Sequence, residues 1–218
     1  MKTRGHYFAA RTLRGFWATA LLVALAALAG CQSADLKAHY ELRATEAVME
    51  AEIPEDGPGT EQIAVRVTWS ADADGVVGSF SNPADTTAAI HWEKATISVD
   101  GEPPVPLLSA APQPGPDLPQ PPTVIPRLGQ MIIGMLPGDA AEWEWFANRT
   151  LGGSWRPTAP LFGIEFTPGM SEAERLSMAE TAVGKRIRIE LPVRTGGRRL
   201  THIYDIRVTG AELRPSFN

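Results

Sequence analysis

From Ile187 to Val208 the chain alternates apolar and polar residues across a glycine pair, and no other stretch constrains the fold as tightly. Ile187, Ile189, Leu191 and Val193 share one face, with Arg186, Arg188, Glu190 and Pro192 on the other. After Thr195-Gly196-Gly197-Arg198, the residues Leu200, His202, Tyr204, Ile206 and Val208 return opposite Thr201, Ile203, Asp205 and Arg207. A period of two on both sides of a Gly-Gly turn specifies a β-hairpin with one buried face. Pro192 has no N–H for a sheet ladder, which predicts an edge or a bulge at that point.

Weaker versions of the same pattern recur upstream. Alternation over about 39–49 predicts a strand, and Pro54-Glu55-Asp56-Gly57-Pro58-Gly59 breaks it. Ile63, Val65, Val67 and Trp69 form a second strand, closed by a turn at Asp72-Ala73-Asp74-Gly75. The Asp-x-Asp in that turn lacks the glycine and glutamate spacing of a calcium-binding EF-hand loop, so a plain turn is expected and no metal. Ile90 and Trp92 have one parity and Ile97 and Val99 the other, which calls for a bulge or break near Glu93-Lys94. Asp100-Gly101 is a further hairpin signal, with Val105 and Leu107 on the return strand.

Ten prolines fall within residues 103–126. Such a segment is expected to run as an extended surface loop and not as a central strand. Met131 to Leu136 is a continuous apolar run suited to a buried strand or an edge that meets a partner. Asp139 to Phe146 could form a helical turn capped by Asp139. Trp143, Trp145, Phe146 and Trp155 gather around Gly152-Gly153 and are the candidate ligand-binding residues. Ser171 with Glu174 makes a capping box and Gly184 a stop, predicting one short helix at about 171–183. Six to eight short strands with one helix give the expected fold: mainly β, an antiparallel immunoglobulin-like β-sandwich.

The N-terminus carries a different message. Lys2, Arg4, Arg11 and Arg14 precede an uncharged run from Phe16 to Ala29, which ends in Leu28-Ala29-Gly30-Cys31. That run is shorter than the roughly 17 residues needed to span a bilayer, and it has the shape of a secretory leader. Leu28-Ala29-Gly30-Cys31 resembles the lipobox of bacterial lipoproteins, and Cys31 is the chain's one cysteine. The resemblance implies lipidation of Cys31, cleavage before it and anchoring in a cell envelope. Gln32, where an aspartate would resemble an inner-membrane retention signal, favours the outer membrane, with the domain periplasmic or surface-facing. The expected organisation is a signal peptide at 1–30, a tether at 31–37 and a single domain over 38–218.

Losing the leader takes four cations with it and moves the formal net charge from −5 to −9. An acidic chain with no basic cluster argues against a nucleic-acid partner. With Cys31 committed to lipid, the domain must hold by packing without a disulfide. No nucleophile motif or metal-ligand spacing occurs, so neither cofactor nor enzyme is expected. Catalytic groups converging from distant loops would be the exception. Two non-enzymatic expectations follow. One is a structural or interaction module that contacts an envelope protein. The other is a glycan- or peptidoglycan-binding module that stacks sugars on Trp143, Trp145 and Trp155.

Overall fold

The computed structural model describes residues 36–52 and 65–215, and the account below concerns the compact unit Lys37–Arg214. In chain order the strands are β1 (Leu36–Glu52), β2 (Arg66–Asp72), β3 (Val76–Ser81), β4 (Ala88–Ile90), β5 (Thr96–Val99) and β6 (Val105–Ser109). There follow β7 (Thr123–Ile125), β8 (Gln130–Pro137), β9 (Ala141–Trp145), β10 (Gly153–Pro157), helix α1 (Glu172–Glu180), β11 (Arg186–Thr195) and β12 (Arg198–Pro215).

The C-terminal hairpin forms as its alternation requires. β11 and β12 pair in continuous register from Arg186↔Arg207 to Thr195↔Arg198. Gly196 and Gly197 turn the chain at φ 54° and 84°, and Asp100-Gly101 does the same at 53° and 84° between β5 and β6. Two successive positive φ values are what a tight hairpin turn of matching twist demands.

The hairpin does not sit in a sandwich. The ladder runs β1–β2–β3–β8–β6–β5–β11–β12, and β12 returns to pair with β1. Eight antiparallel strands thus close into a barrel, which corrects the immunoglobulin-like expectation. The physical reason lies in β12, whose 18 residues are long enough to serve β11 along one edge and β1 along the other. Closure removes the free edges that two separate sheets would keep. An eight-stranded barrel is just wide enough to be filled by side chains, and this one is filled. Ile97, Leu107, Ile187, Ile189 and Ile206 are fully buried. Trp69 meets Phe80 and Tyr204 edge-on, with ring centroids 6.0 and 4.9 Å away.

Prolines sit at the seams of this ladder. β6 is a barrel strand despite Pro106, as the return strand expected at Val105 and Leu107, and β7 pairs with β4, so the expectation of an extended loop over 103–126 is corrected at Val105–Ser109 and Thr123–Ile125. Leu107 N–H donates to the Ala95 carbonyl, which makes the neighbouring Pro106↔Thr96 pair a non-hydrogen-bonded one that needs no N–H from proline. Pro192 lies where β11 changes its outer partner from β5, paired through Glu190↔Thr96, to β4, paired from Val193↔Ile90. There the Pro192 carbonyl accepts from His91 N–H. The break expected near Glu93-Lys94 is a 3-10 turn over Trp92–Lys94.

Helix α1 starts at the Ser171 cap as expected. Ser171 Oγ accepts from Glu174 N–H and Glu174 Oε2 accepts from Ser171 N–H, a reciprocal capping box. Bonds from the Ser171 hydroxyl and amide hold the Glu174 carboxyl below its usual range. The helix ends at Glu180 and buries Ala179, Ala182 is buried in the turn that follows, and Ala173 and Val183 are exposed. Asp139 to Phe146 is not a helical turn. After a short 3-10 turn at Gly138–Ala140 it is strand β9.

Candidate functional site

The tryptophans stand on a two-stranded sheet of their own, made by β9 and β10. Glu142 and Glu144 alternate with Trp143 and Trp145, so all the indoles fall on one face of the strand pair. Trp143 is directly opposite Trp155, and Trp145 is opposite Gly153. The Trp143 ring packs edge-to-face on Trp145 at 5.6 Å and 84°, and on Trp155 at 5.4 Å and 75°. Trp145 is 42% exposed, while Trp143 and Trp155 are half-buried. Phe146 follows at the strand's end, where its N–H donates to the Gly152 carbonyl. The Trp143 ring stands nearly perpendicular to both neighbours, so the three indoles do not form a coplanar platform, and Trp145 is the exposed one. Among the described residues Trp143 Nε1 and Trp155 Nε1 are buried without a hydrogen-bond partner. On the opposite face Arg156 Nε meets Glu144 Oε2 at 2.7 Å.

The proline-rich segment is what the hairpin rests on. Gln113 and Gly153 exchange both backbone hydrogen bonds at 2.9 Å, so Gln113 forms an isolated antiparallel bridge to the start of β10. The Gln113 side chain donates to the Ser109 carbonyl and to Gln120 Oε1, and Gln120 Oε1 also accepts from Ser109 N–H. Gly152, at φ 83°, and Gly153 allow close approach here, since a Cβ on either would overlap neighbouring backbone.

A second cluster escaped the sequence reading. His202, 1% exposed, places Nδ1 2.6 Å from Glu46 Oε1 and 3.3 Å from the Tyr204 hydroxyl. The two rings lie nearly parallel, 13° apart, and His202 Nε2 is buried with no partner among the described residues. A carboxylate on one imidazole nitrogen fixes the ring and leaves the other nitrogen to act. Glu46 and His202 are 156 residues apart, so no local spacing could pair them. The available signal was parity, since His202 and Tyr204 are polar-tipped residues on the buried face of β12.

Burial, with a smaller contribution from the Asp72 charge, pushes the Tyr40 hydroxyl up to about 12. Tyr204 is raised too, by burial first and then by Glu46. An unfolded tyrosine ionises at about pH 10, where the folded ones still hold their protons. The unfolded chain then binds fewer protons, and stability is expected to fall from about pH 10 up to about 12. Tyrosinate absorbance of the folded chain checks this, and ionisation of Tyr40 at the ordinary pH would contradict it.

Among the described residues no cluster of three or more His, Cys, Asp or Glu side chains could hold a metal ion. Asp72 Oδ1 is engaged by the Asp74 and Gly75 amides, and Asp74 by Lys37 at 2.6 Å. Cys31 lies outside the described residues. Comparison with protein-family models, curated proteins and solved structures finds no match.

Proposed function

We propose that this chain is a lipid-anchored envelope protein, held by Cys31 in the outer membrane, whose barrel is a non-enzymatic interaction module. Its contact surface for an envelope protein is the β9–β10 hairpin. The observation that carries this reading is Trp145, an exposed indole held edge-on by Trp143, beside the hairpin tip at Leu151, which is 70% exposed. Tryptophan is the residue type most enriched among those that dominate binding energy at interfaces, and here its orientation is set before any partner arrives. The exposure of Trp145 also supports a second reading, in which a sugar ring of peptidoglycan stacks on its indole.

One experiment addresses anchor and surface together. The full chain, with a photo-crosslinking amino acid at Leu151, is expressed in a diderm bacterium fed a clickable palmitate. Label and membrane fractionation are expected for the parent chain, and both are expected to vanish in Cys31→Ser. Irradiation is expected to yield a discrete protein adduct that Trp145→Ala weakens by about tenfold, the scale of a single interface anchor. Cross-linking to no protein, with retention on peptidoglycan that depends on Trp145, would favour the glycan reading. Membrane association that survives Cys31→Ser would sink the anchor.

A further inference from the structure

Among the described residues, the outer half of β1 is tied to the barrel on one side. Among the described residues its ladder to β2 consists of His39↔Asp72 and Tyr40↔Ala71, and past Tyr40 it follows β12. Thr45 Oγ1 donates to the Asp205 carbonyl and Thr209 Oγ1 to the Glu41 carbonyl, each at 3.2 Å. Every residue from Arg43 to Met49 is exposed, and Val48 and Met49 show about half their surface. An element that buries so little apolar surface belongs to the low-stability end of a fold. Beyond Leu42, which packs half-buried against the core at the strap's root, its described link to the barrel interior is Glu46, whose side chain is 35% exposed while the His202 it touches is 1% exposed. A carboxylate still in contact with water can exchange His202 for water at modest cost.

We infer that residues 41–49 form a strap over this end of the barrel, that Glu46 is its latch, and that local opening uncovers His202 and Tyr204. The latched state has a built-in weakness, because His202 Nε2 is buried without a partner and gains one when the strap lifts. The titratable groups that meet His202 are Glu46 on β1 and Tyr204 on its own strand. Leu191, opposite it on β11, carries no charge. The strap therefore covers an imidazole and a phenol that are already oriented, and does not need to assemble them.

Diethyl pyrocarbonate modification of the full chain, read histidine by histidine by mass spectrometry alongside amide hydrogen exchange, tests this. In the parent chain His202 is expected to react at least about tenfold slower than the half-buried His39 and His91, as a group reached through local opening should. In Glu46→Ala the His202 rate is expected to approach theirs. Exchange over 41–49 should rise with it, while β11 amides from Arg186 to Thr195 stay protected. His202 as reactive as His91 in the parent chain would overturn the strap, and unchanged protection in Glu46→Ala would overturn the latch. If Glu46→Ala raises exchange throughout the barrel, Glu46→Gln decides, since it keeps the side chain's shape and removes its charge. Faster His202 modification with β11 still protected supports the latch, and unaltered His202 overturns it.

Discussion

Gly152→Ala is expected to unseat the tryptophan hairpin. Gly152 sits at φ 83°, and a Cβ there would overlap the Gln113 carbonyl oxygen and come within 3.2 Å of the Pro114 Cα. The left-handed backbone alone costs a residue with a side chain roughly 1–2 kcal/mol. The steric overlap adds to this, because the atoms it meets are backbone atoms pinned by the Gln113–Gly153 bonds. We expect a total of about 3 kcal/mol or more, in the range reserved for strained backbone and broken networks. The loss should be local first, with exchange rising over 141–157 and tryptophan emission shifting red as Trp143 and Trp155 meet water. Gly163→Ala is the control, since Gly163 has φ 67° and open space where its Cβ would go. Equal denaturation midpoints for the two variants would show that backbone conformation, and not the seat on Gln113, carries the effect.

The features legible in the sequence are those set by neighbours along the chain. Gly196-Gly197 and Asp100-Gly101 turn as their residue types require, and Ser171 caps its helix because Glu174 is three residues on. Period-two alternation located β2 and the β11–β12 hairpin because each buries one face. It did not reveal which strands would share that face, since a sandwich and a closed barrel impose the same alternation. The deciding fact, β12 pairing with β1, joins opposite ends of the described chain. Pro106 and Pro192 carry the sequence signatures of a loop and of a strand edge. In the barrel Pro106 takes a non-hydrogen-bonded position opposite Thr96, and Pro192 stands where β11 passes from β5 to β4, so neither position needs the missing N–H. The tryptophan segment is a strand where its sequence predicts a helical turn. Glu142 and Glu144 already alternate with Trp143 and Trp145, but the Asp139 cap signal points to a helix. The Glu46–His202 contact was out of reach, because it exists only once the barrel closes.

Tyr204 offers the sharpest separation of packing from polarity in this barrel, and its variants are expected to diverge strongly. It is 2% exposed, stands edge-on to Trp69 and stacks against His202. Tyr204→Ala removes that ring from the middle of an aromatic chain that Trp69 extends to Phe80. Core aromatics truncated to alanine cost about 3–5 kcal/mol through lost burial and the cavity left behind. Tyr204→Phe keeps the ring and deletes the hydroxyl, whose bond to His202 Nδ1 is long at 3.3 Å. His202 retains Glu46 at 2.6 Å, so no new unpaired group is created, and a cost of about 0.5–1.5 kcal/mol is expected. Tyr204→Phe should also abolish that residue's share of the stability lost at alkaline pH, because the ionisable proton is gone. Chemical denaturation of both variants at neutral pH decides the matter. If phenylalanine proved as costly as alanine, the Glu46–His202–Tyr204 network, and not the ring's packing on Trp69, would be holding β1 against β12.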